Sequence, residues 1–392
     1  MVNNFQTTGN HKYKKLIDNL IQIAADGLQE LYLPEQLEFA SKKKMVNNKI
    51  ILQGRNTRYT LINLIGLHKA ESHNIPFQIN LKKTLILQIK NAEKYKSVGD
   101  IGLLLWASSL ISPEDLPRIL TKVNFKNILE TYKDAKYSYT MELSWFLTGL
   151  LFASTFNKKF KNTIEDLPTL MYNKIRSNYG GSGIFRHEGT NTLQGKLRGK
   201  VGSFADQVYP IYAFSLYSQQ NKNEEALQIA KECALKICEH QGKNGEWMWH
   251  YNAETGNIIS KYPVYSVHQD AMAPLALYAI QKASGLNFET YIQNGLNWIE
   301  HNNCLNVNMI DIKNNAIWRR IAPTNNYRKI KYILSLFGIK TNKDYKKVEI
   351  LYECWSYHLG WILYSLSGRT GKNASKGNVN SNHNSLKVFN FN

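Results

Sequence analysis

An internal repeat limits what this chain can fold into. The runs Phe204-Ala-Asp-Gln-Val-Tyr-Pro-Ile-Tyr-Ala-Phe and His268-Gln-Asp-Ala-Met-Ala-Pro-Leu-Ala-Leu-Tyr read alike, with Asp206 and Asp270 64 residues apart. In each, an Asp stands where a helix N-cap belongs, a Pro falls in the expected first turn, and small apolar residues come after it at helical spacing. Three weaker copies put an acid before an aromatic-rich run containing Gly or Ala: Asp100 to Ala107, Glu142 to Leu151 and Glu353 to Trp361. A sixth run, Arg58 to Leu67, has the same texture but a basic head. All six are apolar on most faces, as helices buried on several sides must be.

Six polar-faced stretches alternate with them: Tyr13 to Glu30, Leu81 to Lys94, Pro117 to Tyr132, Thr163 to Ile175, Asn223 to His240 and Phe288 to His301. In the fifth, Ala226, Ile229, Ala230, Cys233, Ala234, Ile237 and Cys238 form one apolar stripe opposite Lys and Glu. Six one-sided helices alternating with six buried ones predict an all-α protein, an (α/α)6 toroid in which an outer ring wraps an inner ring of parallel helices.

At 392 residues the chain could hold two or three domains, yet no Gly/Ser/Pro-rich linker interrupts residues 10 to 367. One toroid domain over 1–367 is expected, with a basic insertion at 302–352 that carries Trp318-Arg319-Arg320 and a helix near Tyr327 to Leu336 and serves to cover the cleft or bind a partner, and a flexible tail at 368–392. Hydrophobic content of 43% suffices for a core, and no apolar run is long enough to span a bilayer. The N-terminus lacks the features of a secretory leader, and Cys233, Cys238, Cys304 and Cys354 show no disulfide spacing. Both point to a reducing cytoplasm.

The formal charge of +19 comes from lysines scattered over polar faces, which reads as solvation; no nucleic-acid-binding signature accompanies it. Such a surface still suits an acidic polysaccharide. Cys354 and His358 stand four residues apart, but no second ligand pair completes a metal site, and no cofactor is expected.

The densest chemistry lies between residues 176 and 274. A long Gly-rich loop from Arg176 to Gly202 carries Arg186, His187, Lys196 and Arg198, and matches no phosphate-binding fingerprint. A second loop runs from Gln241 through Trp247, Trp249, His250 and Tyr251, and a third from Tyr262 through Tyr265, His268 and Gln269 to Asp270. Because inner helices of a toroid run parallel, their N-termini gather at one mouth. Clustered carboxylates raise one another's pKa and helix N-termini lower it, so such a mouth can hold one acid protonated beside another ionised. That is what acid/base cleavage of a glycosidic bond requires. Asp206 and Asp270 are the expected acid/base pair, assisted by His268 and Glu142. Arg186, His187, Gln207, Tyr209, Trp249, His250, Tyr265 and Gln269 are the expected substrate contacts. Acids at helix starts also serve as plain caps, and capping or local pairing is the role expected of Asp100 and Glu353.

The segment from Gln241 to Trp247 resembles the Gln-to-Trp element of triterpene cyclases, which ties an outer helix to the neighbouring repeat. The alternating architecture with acid-headed inner helices resembles the six-hairpin glycosidase and polysaccharide-lyase class, and Val201 to Gly285 looks like uncharacterised proteins of polysaccharide gene neighbourhoods. That resemblance implies a carbohydrate-active enzyme, whether hydrolase, lyase or epimerase, with a carbohydrate substrate of acidic character. Two alternatives stand beside it: a terpenoid-cyclase or prenyltransferase-like protein, which predicts a deep apolar cavity, and a non-catalytic toroid scaffold binding a glycan or a protein.

Overall fold

The computed structural model describes residues 2–134, 139–189, 199–324 and 347–369. The expected cations Lys196 and Arg198, the helix near Tyr327 and the tail beyond Arg369 lie outside the described residues. In chain order the helices are α1 (Val2–Leu31), α2 (Thr57–Glu71), α3 (Leu81–Lys90), α4 (Val98–Ile111), α5 (Leu116–Lys122), α6 (Phe125–Lys133), α7 (Thr140–Phe156), α8 (Lys158–Thr163), α9 (Leu167–Ser177), α10 (Ala205–Asn221), α11 (Glu224–Glu239), α12 (Ala273–Ser284), α13 (Glu289–Glu300) and α14 (Ser356–Leu366). Helices α2, α4, α7, α10, α12 and α14 pack side by side, each on the next, and α14 closes the ring against α2. Outside them α1 lies on α14, α3 between α2 and α4, α5 on α4, α9 on α7, α11 on α10 and α12, and α13 on α12. The chain is therefore an (α/α)6 toroid, and the six buried and six one-sided runs take the inner and outer positions expected of them.

Burial matches the pattern. Every residue of α4 from Val98 to Ser109 except Asp100 is buried, whereas α11 buries just the seven-residue stripe from Ala226 to Cys238. Inner helices approach closely where both carry glycine. A Cβ added at Gly149 of α7 would run into the carbonyl of Gly102 on α4, and one at Gly66 of α2 into that of Gly360 on α14. Small residues at these crossings let backbones meet at a distance no larger side chain permits.

The toroid axis is filled. Trp106 of α4 packs against Phe152 of α7 (5.4 Å between ring centroids), Tyr212 of α10 (5.3 Å), and Trp361 and Tyr364 of α14 (5.5 and 5.1 Å). The hydroxyls of Tyr212 and Tyr364 share a hydrogen bond of 2.7 Å. Nearer the N-terminal ends, Tyr209 packs between Trp145 (4.9 Å) and Trp361 (6.0 Å). Aromatic rings occupy the space that a deep apolar cavity would need, and they floor the N-terminal mouth.

Short strands in the loops ahead of the inner helices add what hydrophobic period alone did not predict. Val201–Ser203 pairs with His250–Asn252, which pairs with Ile258–Ser260. Val264–Tyr265 and Val348–Leu351 flank Arg320–Pro323. Glu38–Val46 pairs with Lys49–Arg55 and with Glu353–Trp355. Glu353 and Cys354 thus lie in a strand rather than at a helix head. Cys354 accepts the Ile317 amide at 3.4 Å, so it and His358 do not form an i, i+4 pair on one helix. Pro210 also falls inside α10 rather than in its first turn. No helix among the described residues is long and apolar enough to cross a membrane.

Because the α4–α7 crossing has no room for a methyl group, Gly149→Ala is expected to cost about 1–3 kcal/mol, the usual penalty of overpacking. Urea denaturation checks this; an unchanged midpoint would show that the helices can separate freely.

Candidate active site

Arg58, the one basic head, sits in the first turn of α2 and reaches across the mouth. Its Nε donates to Asp100 Oδ1 at 2.6 Å and its Nη2 to Glu142 Oε1 at 3.1 Å and Ser97 Oγ at 3.3 Å. The guanidinium lies 5.1 Å from the Trp145 ring centre. The three charged side chains keep 22–25% exposure, so the group faces solvent at the mouth. Burial opposes the charge on Arg58, but the two carboxylates outweigh it and hold the guanidinium above its ordinary value. Asp100 is not the cap of its helix, because Ser97 Oγ accepts the Gly99 amide instead. Its carboxylate is left for Arg58.

A second group forms on the segments ahead of α12 and α14. Arg319 stacks on Trp355 at 4.0 Å, lies 5.6 Å from Tyr265, and donates to Glu353 Oε2 at 3.1 Å. Arg320 donates to the Tyr265 hydroxyl at 3.0 Å. Glu353 also accepts from Lys42 (2.6 Å) and Trp355 (2.9 Å), the local pairing expected of it. Tyr59 joins the two groups: its ring lies 5.6 Å from Trp355 and 4.8 Å from Tyr357, and both Arg58 and Arg319 act on it electrostatically. The rim so formed is aromatic and rich in arginine; sequence reading placed Arg319 and Arg320 in an insertion over the cleft or at a partner surface, and gave Arg58 and Trp355 no part in the site. The basic head among five acidic ones was the available signal for Arg58.

The expected acid/base pair lies deeper. Asp206 is fully buried; its Oδ2 accepts from the Ser203 amide (2.9 Å) and hydroxyl (2.6 Å), and its two oxygens stand 3.1 and 3.3 Å from His187 Nδ1. Burial alone would raise this carboxyl, but His187 and Ser203 hold it below the ordinary carboxylate value. His187 itself keeps 31% exposure, so a buried carboxylate orients a half-exposed imidazole. Asp270, equally buried, meets His358 Nε2 at 2.6 Å, while its Oδ2 has no partner among the described residues. Burial pushes its carboxyl up against the pull of His358. The two carboxyls are thus pushed in opposite directions, one down and one up, but neither presents an oxygen to solvent at the mouth. Of the four expected catalytic residues, Glu142 is the one half-exposed there. His268 is buried too, packed on Phe204 (4.6 Å) and Tyr265 (5.1 Å).

Hydrogen bonds also correct the repeat register. Gln207 Oε1 accepts the Phe185 amide and its Nε2 donates to the carbonyls of Phe185 and Ser203. Gln269 Oε1 accepts the Trp247 amide and its Nε2 donates to the Tyr265 carbonyl. These glutamines, 62 residues apart, are the equivalent pair, so His268 rather than Asp270 takes the position of Asp206; a π-helical turn at His268–Met272 shifts the register of α12 behind it. Both glutamines are fully buried and committed to backbone groups, so they pin loops to helices instead of binding substrate. Tyr209 is part of the floor. Trp249 and Tyr265 are half-buried with their rings 6.0 Å apart, and the buried His250 stacks on Trp249 at 3.9 Å. Arg186 is half-buried, its carbonyl accepting from Thr140 at the start of α7 (2.5 Å). Gln241 donates to the Tyr291 carbonyl on the next outer helix at 2.9 Å, the tie that its motif implied.

Burial and the neighbouring histidines push His268 down to about 3, so the folded protein keeps this ring neutral where the unfolded chain, with an ordinary imidazole pKa of about 6.5, protonates it. Stability contributed by the neutral ring is therefore lost as pH falls through that window. His268→Gln is expected to flatten the acid limb of stability by up to about 1.4 kcal/mol per pH unit, read from urea midpoints between about pH 6 and 4. An unchanged slope would mean that the ring is not held neutral.

No protein-family model matches the sequence, and no curated protein does. Solved structures do match in fold. They include an unsaturated glucuronyl hydrolase specific for heparin, at 12% identity and a TM-score of 0.57 over 92% of this chain and 96% of that one. A glycosyl hydrolase family 88 protein from Bacteroides vulgatus matches at 11% identity and 0.57, over 90% and 99%. A possible member of the GH105 family from Salmonella enterica matches at 9% and 0.55, over 91% and 94%. The chain shares with them the (α/α)6 toroid of the six-hairpin glycosidase class.

Proposed function

We propose that this protein is a glycoside hydrolase acting on an oligosaccharide that carries an acidic sugar. The observation that carries the reading is the pair Asp100 and Glu142, two half-exposed carboxylates held by one guanidinium in a ring of helix N-termini. Cleavage of a glycosidic bond needs one carboxyl to protonate the leaving oxygen and another as base or nucleophile. Glu142, in the longer bond to Arg58, is assigned the acid, and Asp100, in the shorter, the base or nucleophile. Attachment to neighbouring nitrogens of one guanidinium keeps the two close, which favours the shorter spacing of a retaining mechanism. His187, oriented by Asp206, is a donor for a sugar hydroxyl. Tyr265 and Trp355 offer faces on which a sugar ring stacks.

Arginines along the same rim and the glucuronyl hydrolases that share the fold support an acidic sugar. Two carboxylates rather than a lone base support hydrolysis over lyase or epimerase chemistry. The aromatic filling of the axis argues against the terpenoid alternative. Glu142→Gln and Asp100→Asn are each expected to lower kcat on uronate-bearing oligosaccharides by about 10²–10⁴-fold, with circular dichroism and melting temperature near wild type. Wild-type turnover in both variants would remove the assignment, and tight binding of such sugars without any turnover in the native protein would favour the scaffold.

A further inference from the structure

We propose that Arg58 couples binding of an acidic sugar to protonation of Glu142, making it a positioning residue that arms the general acid only when substrate is present. This rests on the acid/base reading above. A guanidinium is held most strongly by an ionised carboxylate, whereas leaving-group protonation demands that Asp100 or Glu142 carry its proton. Something must release one of them. The two bonds are unequal: Nε holds Asp100 at 2.6 Å, whereas Nη2 divides itself between Glu142 at 3.1 Å and Ser97 Oγ at 3.3 Å. Glu142 is therefore the partner an incoming anion displaces.

Charge balance then requires a proton. One cation and two carboxylates leave the free group at a net charge of about minus one, and an entering sugar carboxylate would add another negative charge beside helix ends partly shielded from solvent. Uptake of one proton from water by the displaced Glu142 restores the balance and creates the O–H that the leaving oxygen needs. The sugar carboxylate takes the vacated Nη2, Asp100 keeps Nε, and no charge is left without a partner. The Trp145 ring, 5.1 Å from the guanidinium centre, backs the Arg58 group, so the exchange requires movement of Glu142 and not of the arginine. A neutral sugar has nothing to exchange and leaves Glu142 on Arg58. Selectivity for acidic substrates then arises in the chemical step as well as in binding.

Titration calorimetry at pH 7 in two buffers of different ionisation enthalpy tests this, with D-glucuronate and D-glucose as probes. Binding of glucuronate is expected to take up close to one proton per site, glucose none. Uptake is expected to vanish in Glu142→Gln. Glucuronate bound without proton uptake overturns the exchange while leaving the hydrolase reading to its turnover assay, and uptake that survives in Glu142→Gln overturns it by assigning the proton elsewhere. Failure of glucuronate to bind the native protein removes the exchange and the acidic-sugar reading together, without touching the carboxylate assignment. A wild-type count of zero overturns the exchange even if a variant fails to fold.

Discussion

Helices buried on nearly every face can meet polar partners only at their ends, and that constraint organises this molecule. Six such helices in parallel bring six sets of unpaired backbone N–H groups and six positive dipole ends to one mouth. The acids there are the electrostatic answer. Asp100, Glu142 and Asp206 occupy first turns, and Asp270 the turn before α12. Arg58 offsets part of the accumulated negative charge, and its position in the first repeat lets it bridge the second and third.

Depth separates the acids into different kinds of group. Where the loop ahead of a helix folds over its start, as Val201–Ser203 and Val264–Tyr265 do, the carboxylate is enclosed and takes a histidine partner. Where the carboxylate stays half-exposed, as at the starts of α4 and α7, it takes a guanidinium. The enclosed pairs, Asp206 with His187 and Asp270 with His358, fix ring orientations around the mouth. The open pair is free to meet a ligand. Below both, the rings of Trp145, Tyr209 and Trp361 pack across the axis.

The fold was legible because burial writes itself into hydrophobic period: α4 and α7 are apolar all round, α11 on one stripe, and both readings matched their positions. The site was half legible. An acid before an apolar run located the mouth and Glu142 within it, but not which carboxylates would be covered, since that depends on short strands whose two to four residues carry too little pattern to read. The aspartates of the two strongest repeats looked equivalent because both precede a Pro-containing helix. A one-turn change to π-helical geometry and the glutamine bonds behind it put His268 in register with Asp206 instead. The packing of Arg319 on Trp355 was missed for a different reason, being brought about by pairing between strands distant in sequence.

A crystal structure of the Glu142→Gln protein with a uronate-bearing disaccharide bound tests the role of the mouth most directly. One sugar ring is expected there, its carboxylate on the Arg58 guanidinium, its face on an aromatic ring of the rim, and its glycosidic oxygen within hydrogen-bond reach of residue 142. A sugar bound away from Arg58, or seated against Asp206 and Asp270 by opening of the loops that cover them, would contradict that role.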